Sequence, residues 1–398
     1  MLKKFLLLVH MMVLLLVSPG IIQAEGQKTP GLENASENTA DQDPIVFPVV
    51  FQRATGDSII SLAADEKGTI IAVTYDYINV THDFGKTWTT SKTPTSDMYS
   101  VMYAQGKFYL SKMHVNKEYE EIPIYVSDNG DQWSILHLTP DGAPAVTIVN
   151  VQYVNGTYIL IAKQYRTENG SILFTSADGM VWTETANIPS TVYFLTWNGS
   201  VYTAYGSGYI FYNKPATFGR NQFLVDSKDK RYAEMIVYSS NNLQDWTMQS
   251  GQVKSGMLYK FVVNDIPSTN YYYDVEKYTA DGVITLYDYY GNILTSKDGK
   301  SFTIQSRRDL FPTNYHRTPT FKAGKNYIIF TQYWHSPGVI RSKALVSTDR
   351  AKWKQINLDK NVPNSMDVIQ ANDNTLVGYG DDGRIAISNN GIDWKKIR

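Results

Sequence analysis

Cysteine is absent from all 398 residues. That excludes disulfides, thiol nucleophiles and thiolate metal sites together. Net charge is missing too, with 37 Lys and Arg against 38 Asp and Glu, so there is no basic excess of the kind nucleic acid requires. After the first 17 residues no apolar run approaches the ~20 residues that a membrane-spanning helix needs. The histidines number six, one near the start at His10 and the rest scattered, so no dedicated metal site and no cofactor are expected. Neither a Ser-His-Asp order nor a phosphate loop stands out, and no helical period follows the N-terminus.

What is present begins with Met1-Leu2-Lys3-Lys4, an apolar run from Phe5 to Val17, and Ile22-Gln23-Ala24. These have the order of a secretory signal peptide over residues 1–24, and the expected location is extracellular. Its removal leaves 35 basic against 38 acidic residues. Residues 25–44 are polar and read as a disordered leader. Ile45 to Phe51 (IVFPVVF) is a strand-length apolar run in which Pro48 favours an edge. Its expected place is the closing repeat, beside Trp394 to Arg398. A secreted chain without cysteine suits a bacterium with one membrane.

From about Ser58 to the last residue the chain repeats itself. One octamer recurs seven times: residues 81–88 (THDFGKTW), 126–133 (VSDNGDQW), 175–182 (TSADGMVW), 239–246 (SSNNLQDW), 295–302 (TSKDGKSF), 346–353 (VSTDRAKW) and 387–394 (ISNNGIDW). Their last residues are spaced by 41 to 64 positions, near the ~40–50 residues of a four-stranded propeller blade. The expected fold is therefore all-β, a seven-bladed β-propeller of four-stranded antiparallel blades over residues 45–398, with the repeat core at 58–398.

Each octamer follows one strand-like run and precedes another, so it reads as a hairpin turn. Gly at the fifth position supplies positive φ. The Asp or Asn at the third or fourth position bonds backbone N–H groups of its own turn. The closing aromatic anchors the turn. The residues assigned these structural roles are Asp83, Gly85, Trp88, Asp128, Gly130, Trp133, Asp178, Gly179, Trp182, Trp246, Asp298, Gly299, Phe302, Asp349, Trp353, Gly391 and Trp394. Leu243 and Arg350 replace the glycine in two copies, where looser turns are expected. In the third repeat the strands are expected at Thr147 to Val154, Thr157 to Tyr165, Ser171 to Ser176 and Trp182 to Ala186.

The octamer resembles the Asp-box, or bacterial neuraminidase repeat, Ser/Thr-x-Asp-x-Gly-x-x-Trp. The resemblance implies a β-propeller with the box in the turn between the third and fourth strands of each blade, where its role is structural. It also raises a sialidase, whose first arginine sits in an Arg-Ile-Pro motif. The corresponding stretch here is Phe51-Gln52-Arg53-Ala54-Thr55, without that motif, and no catalytic residue is carried over.

Strand alternation puts the short first turns and the octamers at one end of the sheets. Length variation falls at the other end, in loops such as Lys214 to Arg231 and Gln249 to Asn270. Function in repeat folds concentrates in such insertions. Six of eight tryptophans anchor octamers, and Trp197 reads as core. Trp334 alone has no repeat role, and an aromatic plane suits a sugar face. The candidate ligand site is Trp334 with Tyr272, His316, Arg317 and Arg341. The expected function is binding of an extracellular glycan or other macromolecule by a monomer. A glycoside hydrolase and a protein-binding scaffold stay open as alternatives, because Glu118, Glu120, Glu121 and Asp265 could supply a carboxylate pair.

Overall fold

The computed structural model describes residues 45–47, 58–95, 97–113, 123–136, 138, 146–164, 170–189, 191–210, 232–249, 274–275, 284–287, 292–297, 303–306, 315–336, 339–358, 362–363, 366–372, 374–380 and 382–398. Every regular element among them is a strand. The expected signal peptide and leader, and the long loops between the strands, lie outside the described residues.

Seven four-stranded antiparallel sheets follow one another along the chain, each with its strands in sequence order. The first is Ser61–Ala64, Ile70–Val73, Tyr77–Thr81 and Thr89–Lys92. The second is Tyr99–Ala104, Lys107–Lys112, Ile124–Ser127 and Ser134–Leu136. The third is Val146–Val154, Thr157–Gln164, Ser171–Ser176 and Thr183–Ile188, within two residues of the expected limits everywhere. The fourth runs from Thr191–Trp197 to Thr247–Gln249 and the fifth from Asp274–Val275 to Thr303–Ser306. The sixth is Tyr315–Ala323, Asn326–Ser336, Val339–Ser347 and Lys354–Asn357. The seventh runs from Met366–Asn372 to Lys395–Lys396.

Strands rich in Val, Ile and aromatic residues fit a pleated surface buried on both faces. The second strand of the first sheet, Ile70 to Val73, is wholly buried. Among the described residues the first strands of the first four sheets lie against one another in order, and apolar clusters fill the space between these sheets. The first sheet also packs on the seventh. Leu62 and Ile70 share a cluster with Val377 and Ile385, and the Ile59 N–H donates to the Gly380 carbonyl at 3.4 Å.

Side chains satisfy the inner edge that these first strands expose. Ser61 Oγ donates to the Val101 carbonyl at 3.3 Å and accepts from the Val101 N–H at 3.0 Å. Gln152 does the same to Leu195, donating at 3.2 Å and accepting at 2.7 Å. At Val101 and Leu195 the backbone edge is thereby satisfied without another strand.

The octamers form the turn between third and fourth strands, and one hydrogen-bond pattern recurs. In the third sheet Ser176 Oγ accepts from the Gly179 N–H at 2.8 Å and donates to Asp178 Oδ1 at 2.9 Å. Asp178 Oδ1 accepts from Met180 at 2.8 Å and Val181 at 3.0 Å. In the sixth sheet Asp349 accepts from Ala351 and Lys352. In the fourth and seventh, Asn242 and Asn390 supply the same oxygen. The second sheet corrects one assignment. Its acceptor is Asn129, bonded by the N–H groups of Asp131 and Gln132, while Asp128 is turned to Lys107 Nζ at 2.8 Å. Asn129 stands two residues after its hydroxyl partner Ser127, as Asp178 stands after Ser176, and Asp128 does not.

The first turn is shifted by one residue. Thr81 and Asp83 play the two roles, and Phe84 and Gly85 both take positive φ, 56° and 85°. The Thr87 N–H, followed by the Thr81 and Thr87 hydroxyls, holds the Asp83 carboxyl far below the usual carboxylate range. For Asp349 the N–H groups of Lys352 and Ala351 lower it. Burial pushes Asp178 up, but the bonds from Val181, Met180 and Ser176 outweigh it, so its carboxyl too is lowered.

The closing tryptophan turns back on its own turn. The indole N–H groups of Trp88, Trp133, Trp246, Trp353 and Trp394 donate to the carbonyls of Gly85, Gly130, Leu243, Arg350 and Gly391 at 2.9 to 3.2 Å. The turns without glycine are therefore not looser. Leu243 and Arg350 adopt φ of 66° and 60° and keep the bonds. Asp298, Gly299 and Phe302 lie outside the described residues.

The N-terminal segment departs from expectation. Ile45 bridges Trp133 in the second sheet, its N–H donating to the Trp133 carbonyl and its carbonyl accepting at 2.8 Å. Phe47 is buried against Tyr125 and Trp133 at ring separations of 5.4 and 5.9 Å. The segment thus covers the second sheet, because Trp133 offers both an unpaired backbone edge and an aromatic wall. Residues 48–51 lie outside the described residues.

Candidate functional site

The structure places four of the five candidate ligand residues in the sixth sheet. His316 and Arg317 lie in Tyr315–Ala323, Trp334 in Asn326–Ser336 and Arg341 in Val339–Ser347. Tyr272 lies outside the described residues. All four sit at the end opposite the octamer turns, as the alternation of strands requires. They are strand residues rather than loop residues, since pairing continues to Ser336 opposite Val339.

Register then divides them. His316 pairs with Gln332, and Trp334 with Ile340. Arg317 pairs with Thr331, and Tyr333 stands between Tyr315 and Arg341. By backbone register, Trp334 and His316 fall in one set of alternating strand positions, and Arg317 and Arg341 in the other with Tyr315 and Tyr333. Neighbouring strands are about 4.8 Å apart, so the row Tyr315–Tyr333–Arg341 spans about 10 Å.

A second site had no place in the sequence reading. Between the first strands of the first, second, third and seventh sheets lies a cavity of about 340 Å³. Its walls include Leu62, Val101, Gln105, Asn150, Tyr153 and Asn372, toward the end where these strands enter their first turns. None of the described residues that line it is charged. Tyr103 is nearest to a charge, donating to Glu66 Oε2 at 2.8 Å and accepting from the Gly106 N–H at 2.9 Å. Burial, and then the bond to Glu66, push its phenol well above the ordinary tyrosine value. The signal that could have found this site is an amide pair at strand spacing on a first strand, Asn150 with Gln152 and Gln370 with Asn372. Such pairs share one face of an otherwise apolar strand.

Among the described residues no group of three or more His, Asp or Glu could hold a metal. No helix among them is long and apolar enough to cross a membrane.

No family model matches the chain, and no curated protein matches it. Solved structures do. YCF48 bound to a D1 peptide is 14% identical with a TM-score of 0.50, over 88% of this chain and 96% of that one. A catalytically inactive virginiamycin B lyase from Staphylococcus aureus, solved with quinupristin, is 10% identical with a TM-score of 0.51, over 86% and 98%. A streptogramin B lyase is 10% identical with a TM-score of 0.50, over 87% and 98%. At these identities the likeness is one of fold, and the chain is β-propeller-like.

Proposed function

We propose that this chain is a secreted, monomeric β-propeller of the Asp-box type, its seven sheets the blades of one ring. We further propose that it is a binding scaffold for an acidic extracellular macromolecule, in the first instance a glycan. The observation that carries the reading is the register of the sixth sheet. Arg317 and Arg341 take the same set of alternating strand positions as Tyr315 and Tyr333, at the end away from the octamers. Guanidinium forks pair with carboxylates or sulfates in two parallel bonds. Tyrosines offer flat apolar area with a polar tip. The packing of the first sheet on the seventh supports the closed ring, and the basic, apolar and small-residue order of residues 1–24 supports secretion.

The test is retention of the protein on immobilised acidic polysaccharide, with neutral dextran as control. Binding to the acidic polymer, weakened by salt and by about tenfold or more on Arg317→Ala or Arg341→Ala, is the expected result. Equal retention on dextran, or unchanged retention in the double variant, would refute it. A second reading, an acidic polypeptide segment as ligand, draws on the likeness to YCF48 bound to a D1 peptide. Acidic peptides competing more strongly than the polysaccharide would favour it.

A further inference from the structure

The cavity at the inner edge of the sheets is a separate matter from the sixth-sheet face. We infer that it is a binding site for a neutral sugar ring. Its volume of about 340 Å³ lies at the lower end of small-molecule pockets. Its polar groups fall into two sets. Gln152 spends both ends of its amide on Leu195, and Tyr103 is bound to Glu66 and Gly106; these hold the walls. Gln370 accepts from the Lys322 N–H at 3.4 Å and belongs with them. Three others keep atoms to spare. Asn150 donates through Nδ2 to the Tyr193 carbonyl at 3.0 Å, which leaves its Oδ1 without a protein partner although the residue is only 5% exposed. Asn372 accepts through Oδ1 from the Asn374 N–H, which leaves its Nδ2. The Gln105 side chain makes no bond within the protein, and its backbone is held at φ of 41° in the first turn.

An amide group without a protein partner is free to bond a ligand's hydroxyl. Here an acceptor, a donor and a whole primary amide belong to residues that line one space. A stacking surface completes the set. Tyr153 is 41% exposed, and its ring is braced edge-on by Tyr158 at 4.8 Å. One aromatic plane and several amides, with no charge and with apolar walls at Leu62, Ala63 and Val101, match a pyranose, which has an aliphatic face and a rim of hydroxyls. Among the described lining residues a carboxylate or phosphate would find no cation. A wholly apolar ligand would leave the amides unpaired.

The experiment is titration of the whole protein with methyl glycosides of glucose, galactose, mannose and N-acetylglucosamine, read by saturation-transfer NMR and calorimetry, with glucuronate as the charged control. At least one neutral glycoside should bind with Kd of about 1 mM or tighter, and glucuronate should not. Tyr153→Ala and Gln105→Ala should each weaken binding about tenfold or more. Gln105 makes no side-chain bond, so that variant tests the site even if loss of Tyr153 disturbs the fold. The Arg317→Ala, Arg341→Ala double variant should bind the glycoside as before, which separates this site from the proposed polyanion face. Failure of every neutral glycoside to saturate a protein with a native thermal transition would overturn the proposal. Binding unaffected by Gln105→Ala would overturn it too, as would tighter binding of glucuronate.

Discussion

The octamer turns of the third and fourth sheets make nearly the same bonds around different residues. In the third, Gly179 takes φ of 75°; in the fourth, Leu243 takes 66°. Each turn has a Ser hydroxyl at its start and an acceptor that takes two successive N–H groups. If the glycine served only the turn, its loss should loosen the turn, and it does not. The neighbouring sheet explains the difference. A Cβ on Gly179 would lie 2.5 Å from the Tyr109 hydroxyl oxygen of the second sheet. Leu243 is buried among Ile159, Ile161 and Leu173 of the third. One turn receives its neighbour's side chain, and the other sends a side chain into its neighbour. The octamer is a joint between sheets, and its fifth residue follows the shape of the partner.

The largest effect should come from Gly179→Ala. Left-handed strain and the clash with Tyr109 together should cost about 2–4 kcal/mol, read by urea unfolding. Asp178→Ala removes the acceptor of two turn N–H groups and should cost about 1–2 kcal/mol. That carboxyl is depressed in the fold, so its contribution is complete above the unfolded value of about 4 and fades as pH falls through the folded value. Asp178→Asn should therefore keep most of the stability at neutral pH, as Asn129, Asn242 and Asn390 do in their turns, and flatten its acid limb. An acid limb as steep as in the parent would show that the carboxylate does not matter there.

Gly156→Ala sharpens the comparison within the same sheet. Gly156 has φ of 78°, but nothing lies within 4 Å of an added Cβ, so only the backbone term of about 1 kcal/mol should appear. A cost equal to that of Gly179→Ala would remove the neighbour from the explanation. The smallest effect concerns Trp182. Its indole N–H is buried without a partner, while the Tyr109 hydroxyl donates to the Gly179 carbonyl at 3.1 Å. In Tyr109→Phe the indole can take that carbonyl, as its counterparts do elsewhere. The change should cost under about 1 kcal/mol, with a downfield shift of the Trp182 indole proton.

Local patterns in this chain were readable where local chemistry decides them. The octamer marks its own turn, and Ser171 to Ser176 falls where its alternation places it. What escaped depends on exact spacing within a turn or on partners distant in sequence. Ser-Asp-Asn-Gly at 127–130 offers two acceptors in a row, and only their distance from the Ser127 hydroxyl selects Asn129. The run at Ile45 is strand-like, but nothing in it names Trp133 as its partner. Trp334 and Arg341 are both at one end of one sheet, yet pairing register, which a bulge beside Trp334 resets, puts them in opposite sets of strand positions. Asn150 and Asn372 come together only because first strands from several sheets meet at the inner edge.

The central claim is that the octamer turns build the joint between sheets, which leaves binding to the faces and cavity elsewhere. Leu243→Gly tests it most directly, by equilibrium unfolding against the parent chain. Restoring the repeat's own glycine relieves about 1 kcal/mol of left-handed strain but removes a buried leucine that contributes about 2–3 kcal/mol. The account predicts a protein less stable by about 1–2 kcal/mol. A Leu243→Gly protein as stable as the parent, or more so, would contradict it.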